Sequence, residues 1–149
     1  TFSKAYGLAG ARVGYVIGHA DVVRAFDKIR NHFGIARLSQ IAALAALKDQ
    51  IWLSHVVDQV STSRLKIYDI AKANGLTPIT SSTNFVAIDC GRDGAFAKAV
   101  VDGLLKHGIF VRMPNVAPLN RCIRVSCGTP EHLDLLAKAI PEVLKLIHV

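Results

Sequence analysis

Residues 50–73 carry apolar side chains at helical spacing over a long span, with Leu53, Val56, Val57, Val60, Ile67 and Ala71 on one stripe. A helix of that length reaches about 36 Å at 1.5 Å per residue, so it divides the chain into a part before it and a part after it. Asn74-Gly75 then stops it, because both residue types accept the left-handed conformation that closes a helix. Arg64 is the one residue out of place on the stripe, a charge where the pattern asks for an apolar group.

Beyond the stop the character changes. Residues 84–89 read as a strand, 93–107 as an amphipathic helix (Phe96, Val100, Val101, Leu104, Leu105) and 109–112 as a second strand. Residues 113–120, with two prolines, form a loop, and 122–127 a third strand. Thr129-Pro130 opens the last helix, threonine as cap and proline at the first helical position, with Leu133, Leu136, Ile140, Val143, Leu144 and Ile147 turned inward. This order predicts a small α+β unit, a short sheet covered by helices. Before the long helix, 13–17 reads as a strand, Asp21 as the cap of a helix to about Arg30, and Ser39 as the cap of an alanine- and leucine-rich helix to about Leu47.

The chemistry concentrates in the first fifteen residues. Lys4 follows Ser3, Arg12 comes eight residues later, and the two cations are separated by glycines and apolar side chains. A lysine amine in such surroundings can form a Schiff base with a carbonyl compound, and an arginine fork can hold a phosphate through two parallel hydrogen bonds. The plainer possibility is two surface charges beside a turn. A second stretch, residues 121–130, places Arg124 and Ser126 on one face of a strand and Ile123 and Val125 on the other. An arginine there needs an anionic partner, either a carboxylate ligand or an Asp or Glu elsewhere in the fold.

Thr1-Phe2-Ser3-Lys4 and Arg12-Val13-Gly14 resemble the Schiff-base motif of fold-type I pyridoxal-phosphate enzymes, the class I/II aminotransferases. Arg124 with Ser126 and Gly128 resembles that family's substrate-carboxylate motif, and Asn84-Phe85 its Asn-Phe pair at the cleft edge. The nearest branch is that of the histidinol-phosphate aminotransferases. The resemblance implies pyridoxal 5′-phosphate as cofactor, Lys4 as catalytic Schiff-base lysine, and Ser3, Thr1 and Arg12 as further cofactor ligands. It implies Arg124 and Asn84 as substrate-binding residues, and an amino acid (or histidinol phosphate) and a 2-oxo acid as substrates. A homodimer is the implied assembly.

The implied architecture is α/β. Residues 1–49 are the end of the cofactor-binding large domain, 50–75 a connecting helix and 76–149 the small C-terminal α/β domain. The sequence opens inside the motif without a methionine, so a fragment is expected, roughly the last two-fifths of a complete enzyme and inactive by itself. A phosphothreonine-type decarboxylase of the same fold, or an inactive folded or oligomerising module, are the alternatives, since residues 33–38 and 113–120 show no clear site for a substrate phosphate.

Other classes find little support. The net charge of +7 would suit an acidic partner, but the basic residues are scattered, so neither nucleic acid nor membrane is expected. Six dispersed histidines lack ligand spacing, so no metal is expected. Nucleotide-binding glycine motifs are absent. Three cysteines without framework spacing point to a reducing, cytoplasmic setting. Tyr6 and Tyr15 read as packing residues, and Trp52 as an anchor of the core or of an interface.

Overall fold

A computed structural model describes residues 1–147. The chain divides into two compact units, Thr1–Asp58 and Gln59–Val149, the division falling within one long helix.

In the first unit a single 3-10 turn, Ala9–Ala11, is followed by helices α1 (Ala20–Phe26) and α2 (Arg37–Lys48), and α3 (Gln50–Ala73) begins. The expected strand at 13–17 does not form. A strand's amides and carbonyls need a partner strand, and none lies beside these residues among the described ones. The caps also differ from expectation. His19 caps α1 by accepting the Asp21 N–H, which places Asp21 in the first turn where its charge favours the helix N-terminus. α1 ends at Phe26 and continues to Arg30 only as a turn. α2 starts two residues before Ser39, from Ala36, with no side-chain cap. Asp49 opens α3 by accepting the Trp52 N–H at 3.0 Å. Trp52 is exposed against His55 and is therefore no core anchor.

The second unit holds the core. Thr77–Pro78 (β1), Phe85–Asp89 (β2) and Cys122–Ser126 (β3) form one antiparallel sheet in the order β1-β2-β3. Helices α4 (Gly94–Lys106) and α5 (Pro130–Ile147), with the second half of α3, cover one face of it. Phe85 opposes Ser126, Ala87 opposes Arg124 and Asp89 opposes Cys122, so Val86, Ile88, Ile123 and Val125 all turn to the helices and are fully buried. β1 was not foreseen, and the expected strand at 109–112 shrinks to one bridge, Arg112 to Arg124.

The stops follow a common rule. At Gly75, in the left-handed region, the Leu76 N–H reaches the Ala71 carbonyl and the Gly75 N–H that of Lys72; Gly108 repeats the device at the end of α4. Asp93, the first residue of the helix expected over 93–107, caps α4 through the Phe96 N–H at 2.9 Å, and α5 begins at Pro130 after Thr129, where the sequence predicts its start. Among the described residues no helix is long and apolar enough to cross a membrane.

Candidate active site

The first twelve residues wrap around Phe2. Its ring is almost wholly buried, 4.7 Å from the Tyr6 ring and 5.8 Å from that of Tyr15 between centroids, which gives both tyrosines the packing role expected of them. Its backbone donates to the Val13 carbonyl at 3.2 Å and accepts from the Leu8 N–H at 2.9 Å. The chain thus returns on itself, and Thr1 lies beside Gly14, where a Cβ would sit 3.5 Å from the Thr1 Cα. Within this loop a turn closed by Gly7 N–H to the Lys4 carbonyl, 2.9 Å, carries Lys4 at its exposed head.

No acidic residue occurs before Asp21. Lys4 makes no ion pair among the described residues. Thr1 Oγ1 accepts the Ser3 N–H at 3.1 Å, which leaves the threonine proton available to a ligand. Arg12 gives one N–H to the Ala9 carbonyl at 2.7 Å and keeps the other donors of its fork exposed. Its backbone lies in the left-handed region at φ 50°, at a cost of roughly 1–2 kcal/mol for a residue with a Cβ. Two cations, two hydroxyls and no carboxylate suit a phosphate monoester carrying a carbonyl for the lysine.

The other predicted residues stand on the second unit. Arg124 is half-buried on the sheet face turned away from α4 and α5, its guanidinium 4.9 Å from the centroid of the Phe85 ring. Asn84 is exposed immediately before β2, and its carbonyl accepts the Cys127 N–H at 2.9 Å, tying it to the end of β3. Among the described residues no carboxylate pairs with Arg124.

The model of the family described as aminotransferase class I and II matches residues 1–140. The chain belongs to the class I and II aminotransferases. The histidinol-phosphate aminotransferase of Sinorhizobium meliloti, solved in complex with pyridoxal-5′-phosphate, is 55% identical with a TM-score of 0.95, over 99% of this chain and 40% of that one. The histidinol-phosphate aminotransferase of Bacillus subtilis (strain 168) is 39% identical over 144 residues, 97% of this chain and 39% of its own. A putative histidinol-phosphate aminotransferase of Erwinia carotovora atroseptica superposes with a TM-score of 0.88 at 25% identity, over 100% of this chain and 42% of that one. The chain thus spans about two-fifths of the length of these relatives.

For this aminotransferase chain, one arginine was not singled out from the sequence. Arg112 and Arg124 exchange both backbone hydrogen bonds, at 3.2 and 2.6 Å. Residues paired in this way project to the same face with Cα atoms about 5.5 Å apart. Neither arginine has an acidic partner among the described residues, and like charges directly opposite each other are destabilising. Arg112 closes an alternating run just before the loop at 113–120, but its register against Arg124 is a long-range fact.

Proposed function

We propose that this chain is the part of a pyridoxal-phosphate-dependent transaminase that carries the Schiff-base lysine and the substrate-anion site. The observation that carries the reading is the acid-free loop around Phe2, which holds Lys4, Arg12, Ser3 and Thr1 within its twelve residues in a member of this family. Lys4 would supply the amine that holds the cofactor carbonyl, and the same amine, when free, would move a proton at the substrate Cα. Arg12, with the Ser3 and Thr1 hydroxyls, anchors the phosphate. The bound cofactor supplies an electron sink for the charge that develops on the substrate.

Arg124 holds the anionic end of the substrate, and Asn84, just before β2, is the second substrate-side residue. The pairing of Arg112 with Arg124 favours a ligand of more than one negative charge. Identity of 39% and 55% to histidinol-phosphate aminotransferases makes histidinol phosphate the first substrate to test, with 2-oxoglutarate as acceptor. A homodimer, and a reducing cytoplasmic setting for the three free cysteines, complete the reading.

The test uses the full-length protein. Borohydride reduction in the presence of cofactor, followed by peptide mapping, marks Lys4; a mark on Lys28, Lys48 or any other lysine refutes the assignment. Product analysis separates the rival chemistry, because amino transfer to 2-oxoglutarate supports the reading and release of carbon dioxide supports the phosphothreonine-type decarboxylase.

A further inference from the structure

Arg64 sits on the face of α3 that the sequence pattern marks as apolar, and the structure satisfies it without any acid. Its guanidinium donates to the Thr83 carbonyl at 2.9 Å and to the Ser61 hydroxyl at 3.0 Å. One turn further along the same face, the Tyr68 hydroxyl accepts the Ser81 N–H at 2.8 Å and lies 3.3 Å from the Ser81 carbonyl. Positions 61, 64 and 68 share one side of a helix, so together they form a polar strip against the segment that leads into β2.

That segment is held from within as well. Thr83 N–H donates to Ser81 Oγ at 3.1 Å, and Phe85 N–H to Thr83 Oγ1 at 3.4 Å. Ser81 Oγ and Thr83 Oγ1 both bond the Phe85 carbonyl, at 2.6 and 3.2 Å. The next residue after the Thr83 carbonyl is Asn84, and the next ring is Phe85, which carries the Arg124 guanidinium on its face. α3 also holds the exit of β3, where the buried Ser63 hydroxyl accepts the Gly128 N–H at 3.1 Å.

We infer that Arg64 is a positioning residue for the substrate-anion site: it fixes the Thr83 carbonyl and so sets where Asn84 and Phe85 stand beneath Arg124. The inference rests on the substrate-side reading of Asn84 and Arg124. A carbonyl held by a charged donor loses a strong bond when that donor is removed, and the turn behind Asn84 then samples other positions. The cofactor loop belongs to the other unit.

The experiment compares Arg64→Met, Arg64→Lys, Asn84→Ala and the Arg64→Met/Asn84→Ala double variant in the full-length protein. Arg64→Met is expected to raise KM for the amino-acid donor about tenfold, as the loss of a charge-assisted hydrogen bond would, with kcat within about twofold and cofactor retention unchanged. Arg64→Lys keeps one of the two bonds and recovers part of the loss. In the double variant KM should be no higher than in Asn84→Ala alone, because both changes act through the same group. Equal damage to kcat and KM, or additive losses in the double variant, would overturn the inference. Hydrogen exchange decides it independently of turnover: the Thr83 and Phe85 amides should exchange at least about tenfold faster in Arg64→Met, and unchanged exchange would overturn the clamp. Wild-type protein that turns over no amino acid at all would instead count against the functional reading, with the exchange result still deciding the clamp.

Discussion

Adding a single methyl group at Gly103 tests how tightly α4 and α5 are packed beneath the sheet. A Cβ there would lie 2.5 Å from Val143 Cγ1, 3.3 Å from Cγ2 and 3.4 Å from Cβ, where carbon atoms settle at about 3.5–4.0 Å. Val143 is 1% exposed and β-branched on a helix, so one rotamer dominates and it has nowhere to turn. Overpacking of this kind costs about 1–3 kcal/mol, and an overlap of this depth belongs at the upper end. Replacing glycine by alanine inside a helix returns about 1 kcal/mol. The net expectation for Gly103→Ala is a loss of about 1–2 kcal/mol, read from urea unfolding followed by circular dichroism. In a Val143→Ala background the clash disappears while the helix preference remains, so the same substitution should become neutral or stabilising. If Gly103→Ala costs the same in both backgrounds, the contact with Val143 is not the reason for the glycine.

Other outcomes are equally specific. In the full-length protein, Lys4→Ala should abolish amino transfer while leaving the fold intact by circular dichroism. Arg12→Lys should weaken cofactor retention, because an ammonium cannot make two parallel bonds to phosphate, whereas Arg124→Lys should leave the cofactor bound and lower kcat/KM by about 2–4 kcal/mol of transition-state stabilisation. Partial burial pushes the Asp89 carboxyl up, but the Gly91 amide and Arg121 outweigh it and hold the group below its ordinary value of 3.8. Its contribution to stability is therefore complete above that value and fades as pH falls through the lowered one, and Asp89→Asn should remove this part of the acid limb. Burial pushes the Cys90 thiol up to about 11 and raises those of Cys122 and Cys127, so the native chain should react slowly with a thiol reagent at neutral pH, and unfolding should release the reaction.

The parts of the fold that were legible are those fixed by local chemistry. The long stripe through α3, the Asn74-Gly75 stop, the extent of α4 and the Thr129-Pro130 start all depend on neighbours within a few residues. Apart from the starts of α1 and α2, where Asp21 and Ser39 lie inside the helices they were expected to cap, what failed depends on distant chain. Residues 13–17 are an apolar run rich in β-branched side chains, as in a strand, but a strand exists only by pairing. Residues 109–112 pair with β3 at one position, and β1 is too short to show a period at all. The residues of the proposed cofactor loop lie within twelve positions of one another, so grouping them needed no long-range contact, and Arg124 stands on an alternating strand. The pairing of Arg112 with Arg124 was not legible, since it needs the register of two segments twelve residues apart.

Three arginines break local rules, and how each is satisfied separates scaffold from site. Arg64 stands on an apolar stripe but finds the Thr83 carbonyl and the Ser61 hydroxyl, so its cost is offset within the unit. Arg12 holds a left-handed backbone and uses only one of its donors, on the Ala9 carbonyl. Arg124 faces Arg112 across a hydrogen-bonded pair, with an aromatic ring beside it and no acidic partner among the described residues. Strain and like-charge repulsion that the chain leaves uncompensated persist where a ligand completes the balance. Arg12 and the Arg112–Arg124 pair are each short of negative charge, and under the proposed function a phosphate would complete the first and a substrate anion the second. By the same reasoning Arg112→Gln should stabilise the unliganded fold by relieving repulsion while weakening the response of its melting temperature to added phosphate. A variant that loses stability without ligand would show that Arg112 is held by the fold itself, and the pair would then lose its claim to be a binding site.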